Sequence, residues 1–321
     1  MSRANHLDLD GTCISLASIH RTSKVDCPPN MAQYHGDILK RLEAMRSRED
    51  TISCSNYFSE HTACGDVDEA CREAMVAWLT QVQETLSFSP ETVWIATYFF
   101  DRYLSSGKGN SLEAMESKRK FQLSAITALY IAIKMYEPVI LDIEMLVQLC
   151  RGGYEKLDFI ETENDILSAL NWRVSVHTPL DFVRCLLELL PAESLSSDAS
   201  GALLDVCQER VNSALSEVSF ISYRPSEIGI SCLISALSNC PYLSLSEKQT
   251  HLATLSEICQ FDTSSKEVIV CSASRISPHD LAAVMAKFDI SSQSNALVPA
   301  YKKDSSLSSS LTCVIQGARQ A

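Results

Sequence analysis

The sequence predicts an all-α fold of two consecutive five-helix bundles, each arranged around a central apolar helix. Apolar residues recur at spacings of three and four along most of residues 31–280, which is the spacing of one face of a helix. No segment alternates apolar and polar residues over the length of a strand. The stretches 121–135 and 225–237 are apolar or small on nearly every side, which is typical of a helix at the centre of a bundle.

The bulk composition bounds the size and class of the protein. A length of 321 residues corresponds to about two domains, and an apolar share of 46% is enough for a core in each. A net charge of −13 without a basic run argues against a nucleic-acid partner. We see no signal peptide and no apolar run long enough for a membrane span, so we expect no membrane partner and a location in the nucleus, the cytoplasm or both. The 13 cysteines, most of them within apolar helical patterns, are typical of buried thiols in a reducing compartment.

The first bundle, with a preceding helix, is expected in residues 31–176. Residues 1–30 are mixed and polar, with Pro28-Pro29 near their end, so we expect them to be disordered. A helix begins near Met31, and its apolar face is formed by Tyr34, Ile38, Leu42 and Met45. A loop rich in Ser, Thr and Gly is expected at about residues 50–66.

Five helices follow this loop, and local signals mark several of their ends. Ser89 is suited to cap a helix that has Pro90 at its first position, Pro138 ends the central helix, and Gly152-Gly153 ends the next. The predicted ranges are 68–86, 91–104, 121–135, 142–150 and 154–170. The last helix has a predicted apolar face formed by Leu157, Ile160, Asn164, Leu167 and Leu170.

The second bundle is expected in residues 177–289. Thr178-Pro179, Arg224-Pro225 and the segment 244–247 (SLSE) are helix start signals. The candidate helices cover 178–190, 198–217, 225–239, 245–259 and 264–274, with a short helix at about 279–288. The tail at 290–321 is rich in Ser and is expected to be disordered.

We find no set of residues that would carry catalysis or bind a metal. The seven histidines are dispersed, the cysteines form no CxxC pair, and no phosphate-binding glycine loop or GxSxG motif is present. The sequence therefore predicts no enzyme activity, no metal and no cofactor.

Four segments carry a resemblance to a known family. They are CREAMVAWL at 71–79, YFFDRYLS at 98–105, FIETENDIL at 159–167 and LNW at 170–172. In this order, with the apolar helix 123–134 between the second and third, they resemble the box of a cyclin. The resemblance covers about residues 31–280 and implies a tandem cyclin fold. The segment YHGDI at 34–38 resembles mitotic-type cyclins, and YRPS at 223–226 resembles plant-like D-type cyclins.

The resemblance assigns roles to several residues. Arg72 and Asp101 match the family's Arg and Asp that form an ion pair within the domain. Lys134 and Glu163 match the Lys and Glu that contact the kinase, and Ile131, Met135 and Leu167 are expected to form a groove for its αC helix. Without the resemblance, the expected role of Lys134 is a cation that caps the carbonyl groups at a helix C-terminus. Glu163 would then be a solvated residue on the polar side of an amphipathic helix.

A substrate-docking patch is only partly matched. Met75, Trp78 and Gln122 stand at its positions, but Cys71 and Ala74 are smaller than the family's residues. Trp78 is open to two interpretations, a core aromatic or a surface contact. The family also has two acids after the Lys of the central helix, whereas the segment KMYE at 134–137 has one.

Two functions from different classes follow from these observations. The first is a regulatory subunit that forms a heterodimer with a cyclin-dependent kinase, controls cell-cycle progression, and docks Arg-x-Leu substrates or inhibitors. The second is a cyclin-fold adaptor or transcription-associated scaffold that does not activate a kinase. Binding to a cyclin-dependent kinase distinguishes the two.

Overall fold

The computed structural model describes residues 31–49, 54–60, 66–139, 141–191 and 195–259, and every regular element in these ranges is helical. This confirms the predicted all-α class. The elements are α1 (Met31–Glu49), α2 (Tyr57–Glu60), α3 (Glu69–Leu86), α4 (Pro90–Ser105), α5 (Ser111–Glu116), α6 (Lys118–Tyr136), α7 (Ile143–Leu149), α8 (Lys156–Ala169), α9 (Pro179–Leu189), α10 (Ser197–Leu215), a 3₁₀ turn (Val218–Phe220), α11 (Pro225–Asn239) and α12 (Leu245–Cys259). Within the described ranges, no helix combines the length and the hydropathy needed to cross a membrane.

The first bundle comprises α3 to α8, with α6 at its centre. Ala125, Ala128 and Ala132 of α6 have no exposed surface, and these small side chains let α4 pack closely along α6. Ser89 accepts a hydrogen bond from the backbone N–H of Glu91 and Pro90 begins α4, which confirms the predicted cap. The central helix begins at Lys118, three residues before its predicted start.

Two short helices, α2 and α5, were not predicted from the sequence. Tertiary contacts at or near each helix stabilise them. Helix α2 lies within the predicted loop, where the hydroxyl of its first residue, Tyr57, bonds Asp101. Helix α5 follows the turn at Gly107 and Gly109, which have φ angles of +60° and +59°. A Cβ at Gly109 would overlap the carboxylate of Asp165, which accepts a hydrogen bond from the N–H of Asn110 at 2.9 Å. Helices this short depend on such tertiary contacts.

The predicted buried face of α8 is wrong in three of its five positions. Phe159, Ile166 and Ala169 face the core, whereas Leu157 and Ile160 are 59% and 39% exposed. Asn164 is also exposed, Leu167 is half-buried and Leu170 is buried. The predicted stripe is therefore largely an outer apolar face of α8.

The second bundle comprises α9 to α12, with α11 at its centre. Thr178, the N-cap residue of α9, accepts a hydrogen bond from the N–H of Asp181, as expected for the start of this helix. Gly229 allows α11 to cross the start of α9 closely, because a Cβ there would overlap the carbonyl oxygen of Pro179. The predicted helices 264–274 and 279–288 and the predicted disordered ends 1–30 and 290–321 lie outside the described residues.

Helix α1 precedes the first bundle in the chain but packs on the second. Its face of Ile38, Leu42 and Met45 is buried and contacts α9. The hydroxyl of Tyr34 donates to Glu188 Oε2 at 2.6 Å, and the backbone N–H of Ser226 in α11 donates to Glu49 Oε1 at 2.7 Å. Helix α1 therefore bridges α9 and α11. Tyr34, predicted on the apolar face, is 41% exposed.

Candidate functional site

Arg72 of α3 and Asp101 of α4 form a buried ion pair at the junction of the two bundles. Arg72 Nε and Nη2 donate to the two carboxylate oxygens of Asp101 at 2.9 and 2.8 Å, and both residues are at most 5% exposed. Arg72 Nη1 also donates to the carbonyl oxygen of Leu215 in α10 at 3.0 Å. The Tyr57 hydroxyl supplies a further hydrogen bond to Asp101 at 2.9 Å. The pair thus joins four segments and has no surface from which to contact a partner.

Lys134 and Glu163 are brought together on the surface of the first bundle. Lys134 lies in the last turn of α6 and Glu163 in the middle of α8, and Lys134 Nζ is 2.6 Å from Glu163 Oε1. Their side chains are 43% and 17% exposed. Lys134 Nζ also lies 4.9 Å from the centre of the Tyr130 ring. Because a partly exposed ion pair contributes about 1 kcal/mol or less, this one can be exchanged for contacts with a partner at small cost.

Apolar side chains flank this ion pair. Met135 is 54% exposed beside Lys134, and Leu157, Ile160 and Leu167 lie with Glu163 on the outer face of α8. We call these residues, together with Trp172, the α6–α8 surface. Ile131, expected to line the groove, is only 2% exposed and supports the surface from the core. It faces inward because α6 is the central helix of the bundle.

Trp172 is a member of this surface that sequence reasoning did not assign to the site. It follows α8, is 64% exposed, and donates its backbone N–H to Leu167 O at 2.9 Å. Asn171 and Trp172 have φ angles of +51° and +60°, a conformation that is strained for a bulky residue. The Arg102 guanidinium holds this turn by donating to Arg173 O at 2.9 Å. The sequence signal that could have identified Trp172 is a large aromatic residue directly after the predicted end of a helix.

The predicted docking patch is largely buried. Met75 is 2% exposed, and Gln122 is 9% exposed and accepts a hydrogen bond from the Tyr154 hydroxyl at 2.8 Å. Both were expected at the surface, and both belong instead to the packing of the first bundle. Trp78 is half-buried against the core, beside the half-buried Cys71 and Ala74. Trp78 is therefore partly a core aromatic and partly accessible at the surface, the two interpretations that the sequence left open.

The described part of the chain contains no group of three or more His, Cys, Asp or Glu side chains placed to hold a metal ion. The chemistry available at the α6–α8 surface is that of recognition. It offers an ammonium group, a carboxylate and apolar side chains.

Comparison with known proteins relates the first bundle to a known domain. Residues 39–175 match the family model described as the cyclin N-terminal domain. The G2/mitotic-specific cyclin-B3 of Gallus gallus is 26% identical over 207 residues, which cover 64% of this chain and 46% of the relative. Cyclin-B2-1 of Oryza sativa subsp. japonica is 27% identical over 202 residues, which cover 62% and 44%. The chain spans about half the length of the curated relatives it matches.

A solved structure supports the same fold. The X-ray structure of a viral cyclin from herpesvirus saimiri matches with a TM-score of 0.57 and 17% sequence identity, over 77% of this chain and 99% of that chain. The two helical bundles are those of a tandem cyclin fold. Residues 39–175, in the first bundle, carry the N-terminal domain of the cyclins, and the chain is similar to cyclins beyond this domain.

Proposed function

We propose that this protein is a regulatory subunit that binds a cyclin-dependent protein kinase, activates it, and controls cell-cycle progression in the nucleus, the cytoplasm or both. The observation that carries the proposal is the α6–α8 surface. There, Lys134 and Glu163 lie 2.6 Å apart between exposed apolar side chains of two helices. The relatives named as G2/mitotic-specific cyclins support the same assignment.

The chemistry of the surface fits an amphipathic helix of the partner. Met135, Ile160 and Trp172 offer apolar area that is at least 39% exposed on each side chain. A helix that buries this area gains about 25 cal/mol per Å² of apolar surface. Lys134 can donate to carbonyl oxygens of the partner's backbone, and Glu163 can accept from its N–H groups, where a helix end leaves such groups unsatisfied.

Such binding would activate a kinase by selecting one of its conformations. A protein kinase needs the ion pair between its β3 Lys and the Glu of its αC helix. A partner that binds αC only in its inward position shifts the population toward the active state. In this proposal the cyclin contributes no catalytic residue, and the Ser/Thr kinase supplies the chemistry.

The test compares kinase binding and activity of two double variants. Lys134→Ala with Glu163→Ala should reduce affinity for a purified mitotic cyclin-dependent kinase by roughly 100-fold or more, since hydrogen bonds to charged groups are worth about 1.5–3 kcal/mol each. Lys120→Ala with Glu113→Ala is the matched control, because it removes another ion pair between side chains that are 51% and 56% exposed. The control should bind and activate like the wild type.

Two outcomes would contradict the proposal. Wild-type kinase activation by a folded Lys134→Ala, Glu163→Ala variant would mean that the site lies elsewhere. A wild-type protein that binds no cyclin-dependent kinase would favour the adaptor or scaffold function instead.

A further inference from the structure

The residue directly after α6 caps the start of α4. Glu137 Oε1 accepts a hydrogen bond from the backbone N–H of Ser89 at 2.9 Å and another from the hydroxyl of Thr92. A carboxylate in this position also interacts favourably with the positive end of the α4 dipole. The C-terminal end of α6 is thereby fixed to α4.

The last residue of α6 is fixed on its other side. The Tyr136 hydroxyl donates to Val174 O at 2.7 Å and accepts from the backbone N–H of Val176 at 3.0 Å. These two backbone groups lie in the segment after α8, two and four residues beyond Trp172. Tyr136 therefore connects the end of α6 to the segment that follows α8.

Tyr136 and Glu137, which make these contacts, follow Lys134 by two and three positions. Helix ends fray because their last carbonyl groups have no partner within the helix. Fraying of the last turn of α6 would move Lys134 away from Glu163 and would also displace Met135, which lies in the same turn. A partner would then have to order this turn as it binds, at a cost to affinity.

We infer that Tyr136 and Glu137 are positioning residues that hold the α6–α8 surface ready for the kinase. They act through the placement of Lys134 and Met135. The inference rests on the proposed function. Loss of either contact should lower the affinity for the kinase, and it should also loosen the last turn of α6 in the free protein.

The kinase experiment uses three single variants of the full chain. Glu137→Ala should raise the Kd for a purified mitotic cyclin-dependent kinase about tenfold, because it removes hydrogen bonds to a charged group. Glu137→Gln keeps an oxygen acceptor and should restore most of the affinity. Tyr136→Phe should weaken binding several-fold, because it removes the hydroxyl and keeps the ring. Glu113→Ala, a control with the same charge change on α5, should bind like the wild type.

A double variant separates positioning from general destabilisation. If Glu137 acts through Lys134, the loss caused by Glu137→Ala should largely vanish when Lys134 is already Ala. Losses that simply add would overturn the inference, and so would wild-type affinity in Glu137→Ala. A wild-type chain that binds no kinase overturns the proposed function instead.

Hydrogen exchange of the free protein measures directly whether Glu137 orders the last turn of α6. The N–H of Glu137 donates to Ile133 O at 3.0 Å and reports on the last turn of α6. Glu137→Ala should speed amide exchange in residues 134–137, whereas Glu113→Ala should not. Unchanged exchange in Glu137→Ala would overturn the inference, whatever the kinase measurement shows.

Discussion

Burial of Glu49 should make the stability of this protein fall as the pH rises. Glu49 is 6% exposed at the end of α1, where its Oε1 accepts the N–H of Ser226 at 2.7 Å. Its Oε2 has no hydrogen-bond partner among the described residues. Burial raises the pKa of this carboxyl from 4.5 to about 7, although Ser226 and Arg224 act in the opposite direction; Glu227 adds to the rise.

The sign and size of the effect follow from this pKa. The folded state holds the Glu49 proton more tightly than the unfolded state, so ionisation above pH 4.5 favours unfolding. The loss of stability begins near pH 4.5 and is complete just above pH 7. A pKa rise from 4.5 to about 7 corresponds to about 3 kcal/mol, since each pH unit is worth about 1.4 kcal/mol.

Urea unfolding of the wild type and of Glu49→Gln at pH 5, 6, 7 and 8 measures this effect. The amide does not titrate and can still accept the N–H of Ser226, so the stability of the variant should differ least from that of the wild type at pH 5. It should exceed the wild type by up to about 3 kcal/mol at pH 8. His177 and His251, whose pKa values are lowered by burial, titrate in both proteins and cancel in the difference. Parallel stability curves for the two proteins would refute the reasoning.

Three further predictions concern packing and docking. Arg72→Ala should cost about 3–5 kcal/mol in unfolding free energy, because it leaves the Asp101 carboxylate buried without its cation; urea midpoints within error of the wild type would disprove this. Gly229→Ala should lower stability by about 1–3 kcal/mol by forcing α11 away from Pro179, and an unchanged melting temperature would show that the crossing can relax. Titration of an Arg-x-Leu peptide should show weak binding that Trp78→Ala reduces, because the half-buried Trp78, Cys71 and Ala74 offer little apolar area; equal affinity in both proteins would place docking elsewhere.

The helices themselves follow from local sequence. The start of α4 was predictable because Ser89 and Pro90 satisfy a helix N-terminus through their own backbone and side chain. The burial of α6 and α11 was predictable because apolar or small residues on all sides leave no solvated face. These signals act within a few residues and do not depend on what packs nearby.

The candidate site was predictable only in part. The resemblance singled out Lys134, Glu163 and Met135, which lie at the surface of the structure. It also singled out Ile131 and Met75, which are buried, because a matched position carries no information on how deeply its own helix is packed. Trp172 was not assigned, since its exposure depends on a strained turn that Arg102 holds from another helix.

The sequence by itself determined the helical class, most helix boundaries and the two central helices, because caps and apolar periodicity are properties of consecutive residues. Only the tertiary structure decided which face of α8 is buried, since Leu157 and Ile160 on one side compete with Phe159 and Ile166 on the other. It also decided that α1 packs on the second bundle through contacts such as that of Glu49 with Ser226, 177 positions away. Pairings between distant segments depend on complementary surfaces, and no local pattern encodes them.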